Sequence, residues 1–216
     1  MSVSVILDAK LDYPAACNAV DTLLVDEAAL GTHLPAVATA LLERGVSLRC
    51  DADSLASLQS SLPASQAAIL QSASEEDWET EFLGPVLAIK TVAIGHSEPA
   101  STAAATACSL AIAHINAHSS HHTDAILTSS RESAEQFQRG VDSACVFWNA
   151  STRMADGMRF GFGTEVGIST SKIHARGPVG LEGLTVYKYL IDGSGQGAGE
   201  YGEGEGKKRF KHERIL

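Results

Sequence analysis

The chain has 216 residues, with 16 Lys plus Arg against 26 Asp plus Glu, and its formal charge of −10 leaves no basic face for nucleic acid or anionic membrane. Apolar residues at 44% and a mean hydropathy of +0.03 suffice for one sizeable core, whereas a membrane span needs roughly 20 consecutive apolar residues and no run approaches that. The N-terminus lacks a basic segment and cleavage site, and the four dispersed cysteines form no CxxC pair; the expectation is a cytoplasmic chain of one domain, or one and a half, in a reducing compartment.

In chain order, VSVIL at 3–7 and DTLLV at 21–25 are strand-like apolar runs rich in β-branched residues. Apolar Leu34, Val37, Ala38, Leu41 and Leu42 lie on one helical face that Gly45 closes. VSLRC at 46–50 reads as a strand, and DADSLASLQSSL as a helix opened by an Asp cap. VLAIKTVAI at 86–94 has the pattern of a central parallel strand, buried on both faces. Residues 100–117 predict the longest helix, Ala-rich and well covered, and DAILT, SRESAEQFQRG and SACVFWN then form a strand–helix–strand unit ending at 149. This alternation predicts an α/β fold, a parallel sheet with helices on both faces.

Residues 148–183 are rich in glycine and poor in periodicity, as expected of a loop that lines a site. Its polar side chains, among them Asn149, Ser151, Thr152 and Arg153, suit a small anionic substrate. LTVYKYLID at 184–192 alternates like an exposed strand in need of a partner edge. Between 193 and 206, 7 of 14 residues are glycine, followed by KKRFKHERIL; 193–216 reads as a flexible tail.

P-loop, GxSxG and HExxH patterns are missing, and no GxGxxG stands between a predicted strand and a helix, the one match, GAGEYG at 197–202, lying in the glycine-rich tail. His114, His118, His121 and His122 cluster, but without the Cys or acidic ligands of a usual metal site they read as hydrogen-bonding groups, and no metal is expected. Cys50, Cys108 and Cys145 lie in apolar segments and read as core. Cys17 sits in DYPAACNAVDTLLV, at a turn that could present sulfur to a cleft while backbone N–H groups lower its pKa and hold an oxyanion. On this local pattern alone a buried core cysteine is the stronger reading.

Four segments carry a resemblance: ACNAVDTLLV, LAIAHINAHSSHHTDAI at 110–126, DWETEFLGPVLAIKTV at 77–92, and the stretch from VDSACVFWNASTRMADGM to LIDGSGQ at 141–196. They resemble, in one order, the C-terminal catalytic half of gamma-glutamyl phosphate reductase (glutamate-5-semialdehyde dehydrogenase), in the aldehyde dehydrogenase superfamily. The resemblance implies an aldehyde dehydrogenase-like catalytic domain over 1–183 and an oligomerisation strand over 184–192, with the N-terminal cofactor-binding half absent. It also implies NADPH-dependent reduction of L-glutamate 5-phosphate to L-glutamate 5-semialdehyde in L-proline biosynthesis, with NADP(H) as cofactor and phosphate released. Cys17 matches the nucleophile that would form a thioester. Glu81 and Phe82 match the region that grips the nicotinamide ribose, although the spacing here is one residue shorter. Arg153, Thr152, Ser151 and Asn149 would face the substrate, Arg153 pairing with its α-carboxylate; a structural ion pair is the alternative for Arg153. The implied partners are this small-molecule substrate and further copies of the chain in a homo-oligomer, with glutamate 5-kinase left open as a partner. Two alternatives stand beside this reading: a non-catalytic oligomerisation or regulatory fragment, and the reductase part of a bifunctional pyrroline-5-carboxylate synthase.

Overall fold

In the computed structural model, which describes residues 1–94 and 100–212 (for 100 and 101 the backbone alone), the chain divides into two compact units, Met1–Leu184 and Thr185–Leu216. The first unit opens with helix α1 (Ser2–Leu11) and strand β1 (Thr22–Asp26). Helix α2 (Leu34–Leu42), strand β2 (Ser47–Cys50), helix α3 (Ala52–Ser61), helix α4 (Ala64–Ala67) and the short strand β3 (Gln71–Ser72) follow. Strand β4 (Val86–Val92), helix α5 (Ala100–His118), strand β5 (Thr123–Ile126), helix α6 (Arg131–Gly140) and strand β6 (Cys145–Trp148) complete the regular elements.

β4 is the central strand, as its unbroken apolar run predicts. Leu87, Ala88 and Ile89 are fully buried, and β4 pairs in parallel with β1 on one side and β2 on the other, in the order β1-β4-β2-β3. Leu34, Val37, Ala38 and Leu41 of α2 form one wall of the core with Leu48 and Leu58, and Gly45, at φ +77, reverses the chain into β2. Asp51 fastens α3 to the sheet. Its carboxylate accepts hydrogen bonds from Ser54 N (2.9 Å) and Thr91 N (2.7 Å). Burial pushes this carboxyl up, but the bonds from Ser54 and Thr91 together outweigh it and hold the group below its ordinary value.

Four expectations differ from the structure. VSVIL lies in α1 rather than a strand, because Val3, Ile6 and Leu7 have helical spacing and all reach the core. The strands form two parallel sheets instead of one: β5 and β6 pair with each other, apart from the four-stranded sheet. Helix α5 is poorly covered; among its described side chains only Ala107 and Cys108 are buried, and Leu110 is exposed. Cys145 is half-buried rather than core, while Cys50 and Cys108 are buried as expected. Among the described residues no helix is long and apolar enough to cross a membrane.

In the second unit, residues 185–192 take no helix or strand assignment, and Val186, Tyr187, Tyr189, Leu190 and Ile191 are exposed. The glycine-rich segment forms a short 3-10 turn, Ala198–Glu200, closed by Lys208 N–H donating to Glu200 O at 2.8 Å and by a stack of Tyr201 on Phe210. Residues 213–216 of the expected tail lie outside the described residues.

One buried charge offers a test of this packing. Lys10 is fully buried and its Nζ meets Asp21 Oδ1 at 2.9 Å, joining α1 to the entry of β1. Removing the carboxylate strands an ammonium inside the protein, so Asp21→Ala should lower the unfolding free energy by about 3–5 kcal/mol in urea titration. Glu135→Ala, which breaks only exposed pairs on α6, should cost less than about 1 kcal/mol.

Candidate active site

The site begins where α1 ends. Two tight turns, with Ala16 N–H donating to Tyr13 O and Ala19 N–H to Ala16 O, carry residues 13–19 toward β1. They put adjacent side chains in opposite environments: Cys17 is exposed, and Asn18 is buried. Cys17 lines a cleft of about 720 Å³ together with Glu81, Thr152, His122 and residues of β1 and β5. Cys17, Glu81 and His122 each precede a parallel strand (β1, β4 and β5 respectively), so the reactive groups gather at strand entrances rather than at the carboxyl ends where α/β sheets more often bind ligands.

Asn18 fastens the turn to the glycine-rich segment. Its Nδ2 donates to Ala155 O at 2.7 Å, and its Oδ1 accepts from an Arg153 Nη1. Arg153 Nε also reaches Asp12 Oδ2 at 3.1 Å, and Arg159 meets the same oxygen at 3.3 Å. Arg153 is therefore held in an ion pair, the alternative left open by the sequence, with one carboxylate bridging two guanidinium groups.

The other expected site residues fall into two groups. Thr152 lines the cleft; it is nine-tenths buried and its Oγ1 has no hydrogen-bond partner. Glu81 is exposed on the cleft. Ser151, Asn149 and Phe82 are occupied elsewhere. Ser151 Oγ accepts from Arg153 N and caps the 3-10 turn Thr152–Met154. Asn149, at φ +56, brackets Thr128, accepting from its N–H and donating to its C=O, both at 2.9 Å. The Phe82 ring lies beneath the Arg49 guanidinium at 5.2 Å and near Lys10 at 6.0 Å, and it does not line the cleft.

Burial is the largest influence on the Cys17 thiol and pushes it above its ordinary value, with Glu165 and Glu81 adding to the rise. Its own backbone N–H and Arg153 pull the other way and are outweighed, so the expected net lowering by the turn is corrected. Burial also raises the other thiols, that of Cys50 to about 11.

The structure also separates the histidines. His118 Nδ1 pairs with Glu79 at 3.0 Å, and His121 Nδ1 meets Asp142 O at 2.9 Å. His114 stacks on His118, and burial lowers its pKa to about 4. His122 Nε2 stands 3.4 Å from Cys17 Sγ. No group of described residues combines three or more metal-ligating side chains. The sequence takes His122 only as one of four hydrogen-bonding histidines and does not single out Asn18. The available signals were the position of His122 immediately before a strand and the adjacency of Asn18 to the cysteine.

No model of a protein family matches the chain. It is 50% identical over 215 residues to a probable gamma-glutamyl phosphate reductase of Schizosaccharomyces pombe, covering 100% of this chain and 44% of that protein. It is 49% identical to the gamma-glutamyl phosphate reductase of Synechococcus elongatus, over 98% of the chain and 43% of the relative. The crystal structure of gamma-glutamyl phosphate reductase from Thermotoga maritima superposes with a TM-score of 0.72 at 37% identity, covering 90% of this chain and 42% of that one. The chain thus spans less than half the length of the curated relatives it matches. Along its whole length it is a relative of one part of gamma-glutamyl phosphate reductase, with the α/β fold of that part.

Proposed function

We propose that this chain supplies the nucleophile-bearing part of an enzyme that reduces L-glutamate 5-phosphate to L-glutamate 5-semialdehyde in L-proline biosynthesis. The observation that carries the reading is Cys17, exposed on a cleft that also holds Glu81, Thr152 and His122. An acyl phosphate is an activated ester: sulfur attacks its carbonyl carbon, the C–O bond to phosphate breaks, and a thioester remains on Cys17. Because phosphate is the exchanging group, no base is needed to activate water for hydrolysis.

The remaining roles follow from what each group has free. Thr152 Oγ1, buried without a partner, is suited to bond a substrate oxygen. Arg153 and Arg159 can take the substrate α-carboxylate if it exchanges with Asp12, whose own carboxylate already shows the bridging geometry. Glu81 fits the ribose hydroxyls of a nicotinamide cofactor, for which NADP(H) is our assignment; when bound, it supplies the hydride that reduces the thioester. Glu81 fits that reacting end, whereas the ring of Phe82 lies against Arg49 and Lys10 and does not line the cleft. The exposed segment 184–192 is assigned to contact with a second copy of the chain, since Val186, Tyr187 and Leu190 leave apolar surface open to water.

Two measurements test these assignments. In the chain co-expressed with the remaining half of a relative, Cys17→Ala should lower semialdehyde- and phosphate-dependent NADP⁺ reduction more than about 10³-fold, whereas Cys108→Ala should chiefly change stability. Retained turnover in Cys17→Ala rejects the thioester. In sedimentation, the wild-type chain should run as a dimer or larger, and Val186→Lys with Leu190→Lys should dissociate it. A monomeric wild type rejects the assembly role.

A further inference from the structure

Among the described residues, His122 makes a side-chain contact with the Cys17 sulfur for which the reaction above has no use. It stands immediately before β5, and its Nε2 faces Sγ at 3.4 Å across 105 residues of chain. Its other ring nitrogen, Nδ1, lies 2.5 Å from Thr123 Oγ1. Of the two tautomers these contacts allow, one leaves a base facing sulfur. With Nδ1 protonated and donating to the Thr123 hydroxyl, Nε2 is left with a lone pair aimed at the thiol.

We propose that His122 is a catalytic base and acid for Cys17, oriented by Thr123, a role that rests on the reading of Cys17 as the nucleophile. During acylation the S–H bond breaks and its proton moves to Nε2, the S–C bond forms, and the C–O bond to phosphate breaks. The imidazolium then passes that proton to the departing phosphate, so acylation neither consumes nor releases a proton overall. When the reduced thiohemiacetal anion collapses, an oxygen lone pair forms the aldehyde carbonyl and the C–S electron pair returns to sulfur. A proton from His122, replenished from water, restores the thiol. That one proton, with the hydride, completes the reduction.

The surroundings supply the reason such a base is useful. Burial and the nearby carboxylates of Glu165 and Glu81 disfavour a free thiolate, and Arg153 compensates only in part. A neutral imidazole in contact with sulfur lets the proton leave in step with attack, so that no standing thiolate is required. Asp124 and His121 are the further titratable groups nearby; Asp124 is half-buried, accepts a hydrogen bond from Ser143 Oγ at 2.6 Å, and is pushed up chiefly by burial.

The test is the rate at which iodoacetamide alkylates Cys17 in the full chain between pH 5.5 and 9, followed by peptide mass. Glu165, Glu81, Arg153, His121 and Asp124 are unchanged in every variant, so differences report position 122. His122→Ala should slow labelling at pH 7 by about tenfold and move the rise of the profile to higher pH, and added imidazole should restore most of the rate. His122→Gln, closer in size and hydrogen bonding, should show the same deficit with far-ultraviolet circular dichroism unchanged, which separates lost chemistry from lost folding. A His122→Gln profile equal to wild type, or a folded His122→Ala chain that imidazole does not rescue, overturns the proposal. The assay uses no substrate, so its result stands apart from the nucleophile reading, which instead fails if Cys17→Ala keeps its reductase activity.

Discussion

The buried amide of Asn18 is the fastening on which the site depends. Both ends of this side chain are satisfied by one segment, the Ala155 carbonyl on one side and Arg153 on the other, more than 130 residues along the chain. A primary amide at 5% exposure has few alternatives, because water cannot replace a lost partner there and an orphaned buried group costs about 1–3 kcal/mol. The bond therefore ties the turn carrying Cys17 to a glycine-rich stretch with little regular structure of its own. Thr152 and Cys17 share a cleft because Asn18, next to the cysteine, holds the loop that carries the threonine.

Charge around the cleft is arranged in two opposed pieces. Asp12 gathers Arg153 and Arg159, while Glu81 and Glu165 raise the Cys17 thiol. A chain of net charge −10 repels anions at long range. In the proposed reading the two guanidinium groups supply the local attraction, Asp12 giving way to a substrate carboxylate as one carboxylate partner replaces another. In the same environment burial and the two glutamates disfavour the thiolate of Cys17.

Much of the scaffold was legible because the hydrophobic patterns were unambiguous. β4 was recognisable from an unbroken apolar run, α2 from one apolar face with a glycine after it, and α3 from its Asp cap. VSVIL misleads because its four aliphatic residues fit either period, and the helix is settled only by tertiary contacts of Ile6 and its neighbours. Ala-rich α5 misled because low charge was taken as a sign of burial, although alanine is also the best helix former on an open face. In the site, the position of Cys17 was legible from its turn together with the resemblance. Its contact with His122 was not, because the two residues lie 105 positions apart in sequence and meet only in the folded chain. For Arg153 the sequence leaves substrate binding and a structural ion pair both open, since nothing in NASTR announces Asp12, which lies at the end of a helix in another part of the chain.

The central claim is that Cys17 accepts an acyl group from an acyl phosphate. The most direct measurement is intact and peptide mass spectrometry of the full chain after incubation with acetyl phosphate, used as the simplest acyl phosphate probe. The account predicts a single acetyl group on the Cys17 peptide, released by hydroxylamine as a thioester should be and missing in Cys17→Ala. An unmodified chain, or an acetyl group carried by Cys50, Cys108 or Cys145 instead, would contradict it.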